Sequence, residues 1–213
     1  RNCILNFFRN QDDGSGVKNT VMTLAENYPP QVFHCNMNLL GTHDTPRILT
    51  ALVDDFTAER AQLANRRLSA DMRVEALQKL MAASFLQFTL PGAPSIYYAD
   101  EAGAEGFADP FNRRPYPWGR EDYDLLSHFI RLGQLRKNCE ALRLGDIQFF
   151  QAGDKHLGFT RSYSGKTLRV FCNRSADPWT IQPGKVLMGY NLQLVAPGQL
   201  VLGGRGFCIT EEL

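Results

Sequence analysis

Up to about Leu144, apolar residues in this 213-residue chain recur at helical spacing between short apolar runs; beyond it they alternate with polar residues. In the first part, Val21, Leu24 and Ala25 predict a helix over 17–28. The run QVFHCNMNLL (31–40), opened by Pro29-Pro30 and closed by Gly41, is a strand candidate. Two helices are expected at 57–68 and 71–88, the second carrying Val74, Leu77, Leu80, Met81 and Phe85 as a core-facing stripe. Pro91-Gly92 stops it, and SIYYA (95–99) reads as a short buried strand. After a Pro- and Gly-punctuated loop over 103–119, a helix over 123–137 turns Leu125, Leu126, Phe129, Ile130 and Leu135 inward.

The last part has a period of two. Strands are expected at 147–151, 156–163 and 167–172, separated by Gly153-Asp154 and Ser164-Gly165, whose small residues tolerate tight reversals. Further strands are expected at 186–195, 199–202 and 207–210. Residues 144–213 thus predict a small antiparallel β-sandwich. Residues 1–143 show the βα alternation of a parallel sheet with crossover helices, yet only two strands of it. Two parallel strands do not make a stable sheet by themselves.

Composition narrows the function classes. With 23 basic and 22 acidic residues the net charge is +1, so neither nucleic acid nor an anionic membrane surface is expected as a partner, and neutral substrates fit at least as well. No run approaches the ~18 apolar residues of a membrane span. The five cysteines (Cys3, Cys35, Cys139, Cys172, Cys208) are scattered without a Cys-x-x-Cys pair. That favours buried free thiols in a reducing cytoplasm, the expected location, over a disulfide framework or a zinc site. Asn173-Arg174-Ser175 matches a glycosylation triplet, a pattern common by chance. The first residue is Arg, with an apolar stretch (Ile4, Leu5, Phe7, Phe8) directly behind it, so the chain reads as cut from a longer one.

No P-loop, Gly-x-Gly-x-x-Gly, Gly-x-Ser-x-Gly or His-Glu-x-x-His motif occurs. Three polar clusters remain, each at or beyond the end of a βα strand, where loops vary without disturbing the packed strands. In Asn38-Leu39-Leu40-Gly41-Thr42-His43-Asp44-Thr45-Pro46-Arg47, a strand delivers His, Asp and Arg within five positions. The bland alternative is a turn capped by Asp44 beside a satisfied His43. In Leu90 to Glu101, two tyrosines and two carboxylates follow a short strand. Core packing by Tyr97 and surface solvation by Asp100 would explain them equally. Asp109 to Trp118 places Arg113 and Trp118 in a rigid Pro-rich loop, suited to stacking on sugars and hydrogen-bonding them, with a structural plug as the alternative.

Taken together, the clusters resemble the α-amylase family of glycoside hydrolases. Asn-Leu-Leu-Gly-Thr-His-Asp-Thr-Pro-Arg (38–47) is similar to the hallmark segment after the seventh barrel strand. Gly-Ala-Pro-Ser-Ile-Tyr-Tyr-Ala-Asp-Glu (92–101) looks like the eighth strand and its exit, and Asp109-Pro110, Arg113, Pro115 and Trp118 like the loop that follows. The Leu-Leu-Gly-Thr-His-Asp-Thr form points to the neopullulanase, cyclomaltodextrinase and maltogenic amylase branch. Ala99 stands where the family usually has Gly, and Thr42 where many members have Asn or Ser.

The resemblance implies a fold of class α/β plus β: the last two βα units of a (β/α)8 barrel over 1–143, then an all-β sandwich over 144–213. It implies an α-1,4-glucan as partner, Asp44 as the carboxylate that stabilises the transition state, and His43 binding hydroxyls of the same sugar. Arg47, Arg113 and Trp118 are substrate-binding candidates, the two arginines alternatively holding loops. No cofactor is required, no metal ligand is assigned, and calcium, carried by many amylase relatives, stays open. A retaining glycosidase needs a nucleophilic carboxylate and an acid ~5 Å apart. The family's Gly-x-Arg-x-Asp nucleophile segment is absent, so this chain is expected to start after the sixth strand and to be inactive alone. A glucan-binding module without chemistry, or a homo-oligomer built on exposed barrel edges, are the alternatives.

Overall fold

The computed structural model describes residues 1–54, 60–182, 184–196 and 198–212. Helices form where capping residues precede apolar stripes. After α1 (Asn2–Phe8), α2 (Gly14–Asn27) starts at Asp13, whose carboxylate accepts from Ser15 N at 2.8 Å. Pro30 at the first helical position starts a short α3 (Pro30–Cys35), because its fixed φ suits a helix and its missing N–H costs nothing there. The first half of the strand expected over 31–40 is therefore helix, and only β1 (Met37–Leu39) is strand. Then come α4 (Ile48–Ala51) and α5 (Arg60–Leu63). Positions 57–59 of the helix expected over 57–68 lie outside the described residues, and beyond Leu63 the chain turns.

The long α6 (Ala70–Thr89) is capped by Ser69, which accepts from Met72 N at 3.2 Å. Of its expected stripe, Leu80 and Phe85 are buried and Leu77 and Met81 pack against the core, while Val74 is exposed; Ala76, Ala82 and Ala83 are buried beside them. β2 (Ala93–Ser95) begins earlier than expected and ends before Tyr97, since the chain turns at Ala99, whose φ is +68°. β1 and β2 pair in parallel, Met37 with Ala93 and Leu39 with Ser95. Gln87 of α6 locks them together: its Nε2 donates to Asn38 O (2.7 Å) and Ser95 O (2.9 Å). In α7 (Tyr123–Asn138), Leu125, His128, Phe129 and Leu132 face inward, while Ile130 is exposed.

After α8 (Glu140–Leu144) the chain enters β3 (Asp146–Ala152), β4 (His156–Tyr163), β5 (Lys166–Asn173), β6 (Trp179–Ile181), β7 (Lys185–Ala196) and β8 (Gln199–Glu211). These form one curled antiparallel sheet in the order β3-β4-β5-β8-β6, with β7 also on β8. Alternation separates its faces. Leu168, Val170, Phe207 and Ile209 join a core that runs back to Ile4, whereas Phe171, Leu202 and Cys208 close a second, smaller core with Ile181 and Leu200. The barrel-like part and the sheet thus share one apolar interior.

Two minor expectations change. Asn173 is fully buried and its amide donates to Asp177 O and Gly203 O, which removes it as a glycosylation acceptor. All five cysteines are free, but Cys35 is exposed and Cys3 and Cys139 are only half-buried. No described helix is long and apolar enough to cross a membrane.

His128 lies in the shared core with Nε2 3.0 Å from Ser84 Oγ, and burial lowers its pKa from 6.5 to about 4. The folded ring therefore binds a proton more weakly than the unfolded one. Its contribution to stability is complete above the unfolded value and is lost as pH falls from 6.5 towards about 4. We expect His128→Asn to flatten this part of the profile in thermal melts; an unchanged slope between the two pH values would rule the effect out.

Candidate functional site

The parallel register of β1 and β2 brings their following loops side by side. Gly41 is the first point of contact: a Cβ there would lie 2.1 Å from Asp100 Oδ2, so only glycine lets the two loops approach this closely. Thr42 and Thr45 then close a tight turn, with Oγ1 atoms 3.2 Å apart and Asp44 N donating to Thr42 Oγ1 at 3.3 Å. The turn projects His43 and Asp44 outward, their side chains 65% and 71% exposed and 3.1 Å apart. Asp44 also faces Arg113 of the second loop at 3.9 Å. The helix after this turn is preceded by Arg47, and the Asp44 carboxylate lies exposed beside His43 and Arg113.

Beneath the turn the chemistry is buried. Arg47 is only 1% exposed and donates from Nε to Asn112 O at 2.7 Å and from its NH1 to Tyr98 O. The same NH1 lies 3.2 Å from Asp100 Oδ1. The guanidinium sits over the rings of Tyr97 and Tyr98, 4.4 and 4.3 Å from their centroids. Of its two sequence-level roles, loop-holding matches this setting; a direct sugar contact does not, because the group has almost no accessible surface. Surface solvation of Asp100 is likewise overturned. Burial pushes its pKa from 3.8 up to about 7, against the opposing pull of Arg47.

Arg113 remains accessible, 47% exposed, with Nε donating to Asp109 Oδ1 at 2.7 Å and to His43 O at 3.2 Å. Trp118 is 80% exposed, with its ring 4.5 Å from that of Tyr116. Among the described residues it makes no hydrogen bond or ion pair with His43, Asp44, Arg47 or Arg113. The structure therefore gathers His43, Asp44 and Arg113 into one exposed polar group, sets Arg47 below it as a brace, and leaves Trp118 beside Tyr116. Asp109 entered the sequence reading only as part of the loop motif and Asn112 was given no role, although both lie in the Asp-Pro-x-Asn-Arg run. Among the described residues no group of three or more His, Cys, Asp or Glu side chains is placed to hold a metal ion.

The group offers a carboxylate, an imidazole and a guanidinium to a polar ligand arriving at the carboxyl ends of two parallel strands. Comparison with known proteins gives this arrangement a context. The chain is 39% identical over 178 residues to an amylopullulanase of Thermoanaerobacter thermohydrosulfuricus, covering 78% of this chain and 12% of that protein. It is 33% identical over 178 residues to a cyclomaltodextrinase of Geobacillus thermopakistaniensis, covering 81% of this chain and 27% of the relative. The crystal structure of a debranching enzyme from Nostoc punctiforme superposes with a TM-score of 0.73 at 26% identity, over 93% of this chain and 40% of that one. No protein-family model matches the chain. It spans well under a third of the length of these two curated relatives.

Proposed function

Because the chain belongs to the α-amylase family of glycoside hydrolases, we propose that it supplies the substrate-clasping end of a retaining enzyme that cleaves α-1,4-linked glucans. Asp44 hydrogen-bonds ring hydroxyls of the sugar at the cleavage point and favours its distorted form. Its charge also helps an acid elsewhere in the polypeptide to stay protonated near neutral pH. His43 binds hydroxyls of the same sugar, and Arg113 and Trp118 take neighbouring units. The nucleophile and the acid, ~5 Å apart in such enzymes, come from residues outside these 213.

The observation that carries this reading is the exposed His43–Asp44 pair, facing Arg113 at the carboxyl ends of β1 and β2. A carboxylate kept for packing would be buried or capped; this one is presented to solvent. In the full-length polypeptide, Asp44→Asn is expected to lower kcat on maltooligosaccharides by about 10²–10³-fold, the usual loss for one group acting on transition-state charge. The 213-residue chain alone is expected to release no reducing sugar. Turnover by this chain that disappears in Asp44→Ala, or full activity of the Asn variant, would sink the reading.

A further inference from the structure

The carboxylate of Asp44 has little to hold it. Its partners His43 and Arg113 are themselves exposed, and solvent-exposed ion pairs of this kind contribute at most ~1 kcal/mol. Order at the side chain must therefore come from the backbone beneath it. That backbone is held by one buried side chain. Asn112, fully buried in the loop after β2, donates from its Nδ2 to His43 O at 2.7 Å and to Thr45 O at 2.8 Å. The two carbonyls flank Asp44 on either side, so one planar amide, with Arg113 Nε also on His43 O, holds the peptide unit before Asp44 and the Thr45–Pro46 unit one residue beyond it. Asn112 is fixed in turn, because its own carbonyl accepts from Arg47 Nε.

Asn112 uses only its donor end on the protein: its Oδ1 is buried with no hydrogen-bond partner among the described residues. What the position needs is the two-proton donor, directed at two carbonyls 67 and 69 residues away in the chain. Neither Asp, which when ionised only accepts, nor Ser, with one proton, can supply that geometry.

We infer that Asn112 is the positioning residue of the Asp44 turn, pinning the backbone on both sides of that carboxylate so that it meets a sugar ring already in place. The inference rests on the glycosidase reading for its purpose, though not for its geometry. Preorganisation of this sort matters because a misplacement of ~1 Å can cost ~100-fold in rate.

The test uses ¹⁵N relaxation on the 213-residue chain and on its Asn112→Ala and Asn112→Ser variants. In Asn112→Ala, the order parameters of the His43, Asp44 and Thr45 amides are expected to fall from about 0.85 to below about 0.6. Those of β1 and α6 should stay as they were, and Ser should give an intermediate loss. If Ala unfolds the chain, Ser carries the comparison. Turn amides as ordered in the variants as in the unsubstituted chain would overturn the inference whatever the enzyme does. In the full-length polypeptide, Asn112→Ala is expected to lower kcat by ~100-fold with KM changed less than about threefold. A loosened turn with kcat intact would also overturn it. Absence of α-glucan turnover in the unsubstituted polypeptide would instead remove the functional reading, with the relaxation result still deciding what Asn112 does.

Discussion

Replacing Phe207 by Ala is expected to remove about 3–5 kcal/mol of stability, the usual range for deleting a fully buried aromatic ring. Phe207 is a hub rather than one core residue among many. Its ring stacks on Phe85 of α6 at 4.5 Å, on Tyr190 of β7 at 5.5 Å, and meets His128 of α7 edge-on at 5.5 Å. One ring on β8 therefore binds two helices of the barrel-like part to the curled sheet. Urea unfolding should show a lower midpoint, and separation of a single transition into two would mean that the halves have come apart. Leu194→Ala, at a 71% exposed position of β7, should stay within about 0.5 kcal/mol. A loss below ~1 kcal/mol at Phe207 would contradict the hub.

The second large effect is expected at the brace under the site. Arg47→Met leaves Asp100 buried without its cation, a change that typically costs about 3–5 kcal/mol. Its pH dependence has a definite sign. The folded Asp100 carboxyl already holds its proton up to about 7, against 3.8 for an unburied aspartate, so its contribution to stability falls as pH rises between those values. Without Arg47 the carboxyl is harder still to ionise, so the gap between variant and unsubstituted chain should widen from pH 5 to pH 8. Adding Asp100→Asn removes the stranded charge and should recover a large part of the loss at pH 8. A penalty independent of pH, or no recovery in the double variant, would show that the pair is not what holds these loops.

How far the sequence reached follows from where each interaction lives. β4 was legible to the residue, because it is a run of alternating apolar and polar residues bounded by turns. β8 was read as two strands because Gly203-Gly204-Arg205-Gly206 looks like a turn. In the fold the strand bulges there, with 203–206 facing Asn191 alone and Arg205 at φ +55°, so pairing with β7 breaks between Leu202 and Phe207; a Cβ on Gly204 would lie 2.4 Å from Ala176 O. β6, only three residues long, carries too short a pattern to be seen. At the site, His43, Asp44 and Arg113 were visible as residue types in a motif. Loop-holding was one of the two roles read for Arg47, but its partners were not legible, nor were the roles of Asp100 and Asn112, since each depends on a partner more than fifty residues away that only the β1–β2 register brings close.

The two tryptophans of the chain occupy opposite environments. Trp118 stands almost free of protein cover, while Trp179 lies flat against the His156 imidazole at 4.4 Å, with an interplanar angle of 11°, on the far sheet. The protein thus carries an intrinsic fluorophore in each half. With Trp179→Phe, the remaining red-edge emission, readily quenched by iodide, would report only on the loop beside Tyr116. Arrival of an oligosaccharide there would shield the indole and could be followed without any attached dye.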